Sequence, residues 1–311
     1  MRQFLCDSFP DSSGKLIVKG KNYRYLVKVL RFSEGEELDA RLPDGNLVRF
    51  FVERVQQQQM SAVLRLVSPE PVQSCSEADF SGDKSLYGTT NSGKTTQGVQ
   101  ASEVQGFADR MPELWLFQFL PKPQKMDLIV RQATECGVRY IVPISGAFSV
   151  KNDSSGRKER WERIIREARQ QSGSAVATEI KEVMSVRAAA DMWKKRAEST
   201  GKTAASSSLD NSAQTAPDGA ATDKTANAGN SCAFILDENP SCGKESLSRI
   251  DKTSVSAAAI AVGCEGGISD DERKVLLEAG FMPLHFTTNV LRAETASLYG
   301  IAVIQQFFSA D

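Results

Sequence analysis

The stretch Ala259–Ala302, AIAVGCEGGISDDERKVLLEAGFMPLHFTTNVLRAETASLYGIA, decides the fold. An apolar run, Ala258 to Val262, meets Gly263 and then Glu265, Gly266 and Gly267, as a buried strand does on entering a tight loop. Ser269 and Glu272 have the Ser-x-x-Glu spacing of a helix capping box, with Val275, Leu276 and Ala279 on the face to be buried and Gly280 as a left-handed stop. A second strand, Met282 to Phe286, leads into Thr287–Thr295, which opens the last helix. Two polar, glycine-bearing loops thus leave the ends of two strands, where open α/β sheets bind ligands. Arg292 and Glu294 stand beside Leu291 and Ala293, more charge than a merely solvated turn requires.

Working outward, Leu114–Leu120 is a continuous apolar run of the kind found in strands buried on both faces. After Pro121-Lys122-Pro123-Gln124-Lys125, a helix places Met126, Ile129, Val130 and Ala133 on one face and ends at Gly137; a strand follows at Tyr140–Ile144. This β-α-β alternation predicts a parallel sheet covered by helices. A helix over Arg157–Gln171 buries Trp161, Ile164, Ile165 and Ala168, and its outer face mixes arginine with glutamate, as solvated faces with pairs three or four residues apart do. A further helix runs from Val186 to about Arg196, and Cys232–Leu236 resumes as a strand ending at Asp237-Glu238.

Residues 1–72 form a β-rich unit with strands near Leu16–Val18, Glu37–Leu42, Leu47–Val52 and Ser61–Leu66, and a hairpin turn at Pro43-Asp44-Gly45-Asn46. A helical piece lies at Asn22–Leu30. From Lys15 to Arg31 there are six basic residues and no acid, either a solvated face or a surface for phosphate. Residues 73–110 and 197–231 are rich in Ser, Thr, Gly and Ala or Gln, and read as a linker and a disordered insertion. Within the first, Gly88–Thr95 matches the P-loop pattern, but neither a strand before it nor a helix after it is expected, so nucleotide binding is the weaker reading.

With 311 residues, 41% apolar and 25% charged, the chain supports two globular domains. A net charge of −1 leaves any RNA contact to local basic patches. Six scattered cysteines without a Cys-x-x-Cys pair fit a reducing cytoplasm, and one histidine, His285, argues against a zinc site or a histidine triad. His285 itself reads as a packed or hydrogen-bonded residue of the second strand. No long apolar segment or export signal is seen, so a soluble chain without a membrane partner is expected.

The two loops resemble those of the bacterial 16S rRNA (uracil-N(3))-methyltransferases of the RsmE type, in the SPOUT (α/β-knot) superfamily. That family's pattern is close to Gly-Pro-Glu-Gly-Gly-[Phe/Leu]-Ser followed by Leu-Arg-x-Glu-Thr-Ala. The chain has Gly263-Cys264-Glu265-Gly266-Gly267-Ile268-Ser269 and Leu291-Arg292-Ala293-Glu294-Thr295-Ala296, with Cys264 at the proline. Val29-Leu30-Arg31, Lys122, Lys125 and Glu135-Cys136-Gly137-Val138 match as well, whereas Ser174 and Thr178 replace a family arginine and proline.

The resemblance implies a SPOUT trefoil-knot methyltransferase domain over residues 111–311, preceded by a PUA-like β-barrel that holds RNA. It implies S-adenosylmethionine as methyl donor, no metal, a homodimer, and N(3) of one uridine in 16S rRNA of the small ribosomal subunit as target. The expected donor site is Leu236, Gly263, Glu265, Gly266, Gly267, Asn289, Leu291 and Thr295. Arg292 is expected to offset charge on the base, and Glu294 either to take the N(3) proton or to hold Arg292 and cap the helix. Arg2, Lys28, Arg31, Lys122 and Lys125 are the expected RNA contacts. Two other readings stand beside this one: a non-catalytic RNA-binding protein of the same fold, and a P-loop nucleotide-binding protein.

Overall fold

A computed structural model describes residues 4–67, 111–149, 156–205, 231–238, 247 and 250–309. Arg2, the P-loop-like Gly88–Thr95 and most of the two low-complexity stretches lie outside the described residues. The chain divides into two compact units, Met1–Gly106 and Phe107–Asp311.

In the first unit, β1 (Phe4–Leu5), β2 (Lys15–Lys19), β3 (Glu37–Arg41), β4 (Leu47–Gln56) and β5 (Ser61–Leu66) form one sheet in the order β1-β3-β4-β5-β2. All pairs are antiparallel except β1 with β3. Side chains alternate across it: Leu16 and Val18 are buried with Phe50, Val52 and Leu64, while Ile17 and Lys19 face solvent. The expected hairpin turn closes through Gly45, whose φ of 93° suits glycine, with Gly45 N donating to Leu42 O at 2.9 Å. The helical piece departs from expectation. A short α1 (Gly20–Arg24) passes into one π-helical turn, Tyr25–Val29, closed by Leu30 N to Tyr25 O at 2.9 Å. Arg31 then adopts φ 63°, a conformation a non-glycine residue holds only where its surroundings impose it.

The second unit is built on seven parallel strands. They are β6 (Glu113–Phe119), β7 (Tyr140–Ser145), β8 (Glu179–Ile180), β9 (Met184–Ser185), β10 (Ser231–Leu236), β11 (Ala257–Val262) and β12 (Phe281–Leu284). The order is β12-β10-β11-β6-β7-β8, with β9 also on β7. Among the described residues five helices cover it, divided between the two faces. On one face α2 (Pro123–Glu135), α3 (Arg157–Ser172) and α6 (Ala293–Ser309) bring Met126, Ile129, Trp161 and Ile301 onto Leu114, Leu116, Phe234 and Ile260. On the other, α4 (Val186–Ala205) and α5 (Asp270–Glu278) bring Ala189, Trp193 and Leu276 onto Trp115, Phe117, Ala259 and Phe281. Each fully buried Leu or Phe of this kind contributes about 1.5–3 kcal/mol.

Helix α4 continues to Ala205, past the end expected near Arg196, through Ala197–Ala205, whose serine, threonines and glycine give it no local propensity for helix. Helix α6 begins only at Ala293, so Thr287–Arg292 is loop, and β12 ends at Leu284, which places His285 beyond the strand. Charges on α3 pair across elements, Lys158 with Glu182 at 2.5 Å and Arg160 with Asp127, and Lys158 also feels Glu162 one turn along the helix. At the departures from the family pattern, Gly173 caps α3 at φ 72°, and buried Thr178 donates its hydroxyl to Val138 O at 2.7 Å. No described helix is long and apolar enough to cross a membrane.

Because β11 lies between β6 and β10 while β12 pairs beyond β10, the chain reverses direction across the sheet after β11. The carboxyl ends of β10, β11 and β12 therefore meet at a topological switch point.

Candidate active site

Glycine packs the first loop. A Cβ on Gly263 would lie 2.9 Å from the Gly267 carbonyl carbon, so β11 turns back against its own backbone there. Gly267, at φ 78°, closes the turn by donating its N–H to Cys264 O at 3.0 Å, and the Cys264 thiol reaches Gly267 O at 3.6 Å. The turn is thus held without a proline at 264. The capping box forms as expected: Glu272 Oε2 accepts from Ser269 N at 3.0 Å and from its hydroxyl at 2.8 Å, and Glu272 N donates to Ser269 Oγ. Glu272 is buried, and its other oxygen accepts the Ala147 N–H at 2.7 Å.

The opposite wall comes from β10 and β12. Asp237 N donates to Leu284 O at 3.0 Å, and Asp237 Oδ2 receives Arg273 Nε at 2.9 Å and Nη2 at 2.8 Å, tying β10 to α5. His285 Nδ1 lies 3.0 Å from Asp237 O, so it fastens two strand ends. Between these loops is a cavity of ≈ 320 Å³, within the ~300–1,000 Å³ usual for small-molecule sites.

Of the expected donor residues, Leu236, Gly263, Gly266, Gly267, Asn289 and Leu291 line this cavity; Glu265 and Thr295 do not. Asp237, Glu238, Cys264, Arg273, His285 and Thr288 line it too and were not named among the donor residues. The Asp237-Glu238 pair at the end of an apolar strand was the available signal. Apolar Leu236, Val262, Ile268 and Leu291 suit a flat heterocycle, the carboxylates suit sugar hydroxyls, and the glycines admit a ligand close to backbone. That combination fits S-adenosylmethionine.

Beside the cavity, Lys125 Nζ stands 3.3 Å from Glu265 Oε1 and 3.1 Å from Glu294 Oε2. The lysine of α2 therefore bridges both motif segments. These contacts raise the Lys125 pKa. Burial pushes the Glu294 carboxyl up, but its own backbone N–H, Lys125 and Arg292 outweigh this and hold it below its ordinary value; Glu265 is lowered in the same way by backbone amides and Lys125. Arg292 is exposed, and so are Thr295 and Lys122. Lys28 and Arg31 are exposed on the first unit.

A buried amide that went unexpected supports the arrangement from below. Gln118, fully buried at the end of β6, donates from Nε2 to Phe119 O at 2.9 Å and to Val262 O and Gly263 O at 3.3 Å each. Its Oε1 accepts the Ser297 hydroxyl of α6 at 2.5 Å. One side chain thus fixes the start of the glycine loop to the first turns of the last helix.

Comparison with known proteins places this geometry. The RNA methyltransferase domain family matches residues 109–305, and the RNA methyltransferase PUA domain matches residues 18–64. Ribosomal RNA small subunit methyltransferase E 2 of Borreliella burgdorferi is 26% identical over 307 residues, 97% of this chain and 96% of its own. Ribosomal RNA small subunit methyltransferase E of Aquifex aeolicus is 28% identical over 214 residues, 67% of this chain and 76% of its own. In fold, the chain is similar to the crystal structure of a ribosomal RNA small subunit methyltransferase E from Neisseria gonorrhoeae bound to S-adenosyl methionine, with TM-score 0.65, 18% identity and coverage of 99% and 98%. With its sheet, its switch-point cavity and a match over residues 109–305, the chain belongs to the RNA methyltransferase domain family.

Proposed function

We propose that the chain transfers a methyl group from S-adenosylmethionine to N(3) of a uridine in 16S rRNA, working as a cytoplasmic homodimer with a knotted C-terminal segment. The observation that carries this reading is the cavity enclosed by the two motif loops and the end of β10. The small-subunit rRNA named for relatives that match along nearly the whole chain supports the substrate. We assign residues 1–72 to a PUA-like RNA-binding domain, 73–110 to a linker, and 111–311 to the methyltransferase domain with its insertion at about 197–231.

When bound, S-adenosylmethionine would supply an electrophilic methyl group that passes from sulfur to N(3), leaving a neutral thioether, with the N(3) proton passing to solvent water. The chain's residues hold the geometry. Leu236, Gly263, Gly266, Gly267, Asn289 and Leu291 form the donor pocket, Glu265 holds its loop to Lys125 from outside the lining, and Thr295 is exposed beside it. Arg292, exposed at the start of α6, offsets negative charge on the uracil oxygens or a flanking phosphate. Glu294 is a weakened base, since its neighbours stabilise the carboxylate. We therefore assign it to holding Lys125 and the first turn of α6, where a negative charge also complements the helix dipole. Arg2, Lys28, Arg31 and Lys122 are the proposed RNA-facing cations; Lys125, expected among them, is held by Glu265 and Glu294 and ties the two loops together instead.

Calorimetric titration with S-adenosylmethionine, with ATP as comparison, tests the pocket; methyl transfer to small subunits lacking the modification tests the reaction. Donor binding with transfer that falls sharply in Arg292→Ala is expected. RNA binding without donor affinity would overturn the proposal in favour of a non-catalytic RNA-binding protein, and ATP binding lost in Lys94→Ala would favour the P-loop reading.

A further inference from the structure

Resting on that reading, we infer that Phe148 is the platform on which the target pyrimidine stacks while its edge is methylated. Phe148 stands on the turn that follows β7, Gly146–Ser149, at the same end of the parallel sheet as the loops after β10, β11 and β12. Its side chain is large, apolar and 55% exposed. Single exposed hydrophobics are ordinary; two observations set this one apart.

The turn beneath it is rigid. Ala147 N donates to buried Glu272, Gly146 N donates to Ser149 Oγ at 2.9 Å, Ser149 N donates to Gly146 O at 3.1 Å, and the Ser149 hydroxyl reaches Ile144 O at 3.3 Å. Gly146 itself admits no side chain, since a Cβ there would lie 2.6 Å from Glu272 Oε1. The same glutamate that caps α5 therefore fixes the Phe148 backbone to the donor loop.

The side chain also leans on that loop. A Cβ on Gly266 would fall 2.7 Å from Phe148 Cβ and 3.0 Å from Cγ. Gly266 has no left-handed φ, so its backbone does not require glycine; the seat for Phe148 does. Gly266 lines the cavity, so the aromatic side chain rests at the rim of the donor pocket and remains open to solvent.

A base whose N(3) is to react must leave its stack and expose its pairing edge. Stacking covers the face of a pyrimidine and leaves that edge uncovered, so an aromatic ring at the rim can replace the lost neighbours without hiding N(3). The competing occupant is a second copy of this chain, in which case Phe148 is buried between subunits.

The test uses the full chain, tritiated S-adenosylmethionine and unmethylated small subunits. Base–aromatic stacking of the usual strength predicts a fall in kcat/KM of about ten- to hundredfold for both Phe148→Ala and Phe148→Leu. Phe148→Tyr and Phe148→Trp should stay within about threefold of the original. Donor affinity by calorimetry and mass by sedimentation should be unchanged in all four. Leucine serving as well as phenylalanine would remove the ring's role. Altered mass in Phe148→Ala would assign the residue to the subunit interface, and lost donor affinity would make it a prop for the Gly266 loop; either overturns the proposal. Failure of the unmutated chain to methylate would instead overturn the function proposed above.

Discussion

Gly263 and Gly267 are four residues apart and are glycine for different reasons. At Gly263 an added Cβ would meet the backbone of Gly267 at 2.9–3.1 Å, with no flexible side chain to yield. At Gly267 a Cβ would meet open space, and the requirement is the φ of 78°. Gly267→Ala should therefore cost about 1–2 kcal/mol of backbone strain and leave the cavity wall in place. Gly263→Ala must push the loop apart, and donor affinity should fall at least tenfold, read by calorimetry, with thermal unfolding showing a folded protein. Donor binding in Gly263→Ala equal to the original would mean the loop is not the pocket wall. Cys264 makes the complementary point. Where the resemblance led to a proline, the turn is held by the Gly267 N–H on the carbonyl of residue 264, a bond a proline would also accept, and by the thiol at Gly267 O, which a proline would lack.

Among the elements, α2, the loop after β11 and the start of α6 are joined by Lys125. Glu265 and Glu294 have folded-state pKa values below the ordinary 4.5, so their contribution is present above that pH and is lost as pH falls through the lowered values. Lys125 is raised above the ordinary 10.5, so its contribution is full below that pH and lost as pH rises through the raised value. The difference in melting temperature between the original chain and Lys125→Met should thus stay constant from about pH 5 to 10 and close at both ends. A difference independent of pH throughout would show that lost packing, not charge, is what the substitution removes. Elements with their own periodicity were legible in the sequence: β6 and β11 as apolar runs, α2 and α5 from their stripes and stop glycines, α5 from its capping box. Strands β1, β8 and β9 were not, because two residues carry no alternation and become strand only by pairing with β3 or β7. The site divided along the same line. Both motif loops could be read locally, whereas the reach of Lys125 to Glu265 and Glu294 and of Gln118 to Ser297 joins segments far apart in the chain, which no local pattern encodes.

For the molecule as a whole, a net charge of −1 offers RNA no general attraction, so affinity for a polyanion must be concentrated. The first unit has such a concentration. Lys19, Lys21, Arg24, Lys28 and Arg31 are all exposed along the end of β2, α1 and the π-helical turn, and no acid interrupts them in sequence. Two residues past the turn, Arg31 stands at φ 63°, a strained position that a merely solvated arginine gives no reason to keep. If this stretch meets phosphates, each contact releases counterions, and the logarithm of the binding constant falls with the logarithm of salt by about 0.7–0.9 per contact. Replacing Lys21, Arg24, Lys28 and Arg31 by Gln should flatten that slope by about 2–4, weaken binding to 16S rRNA and to unrelated RNA alike, and leave donor affinity unchanged. Filter binding across a salt series measures it. An unchanged slope would assign the stretch to a solvated face and move the RNA contacts to the cations of the second unit, Lys122 and Arg292, whose replacement would then have to carry the salt dependence.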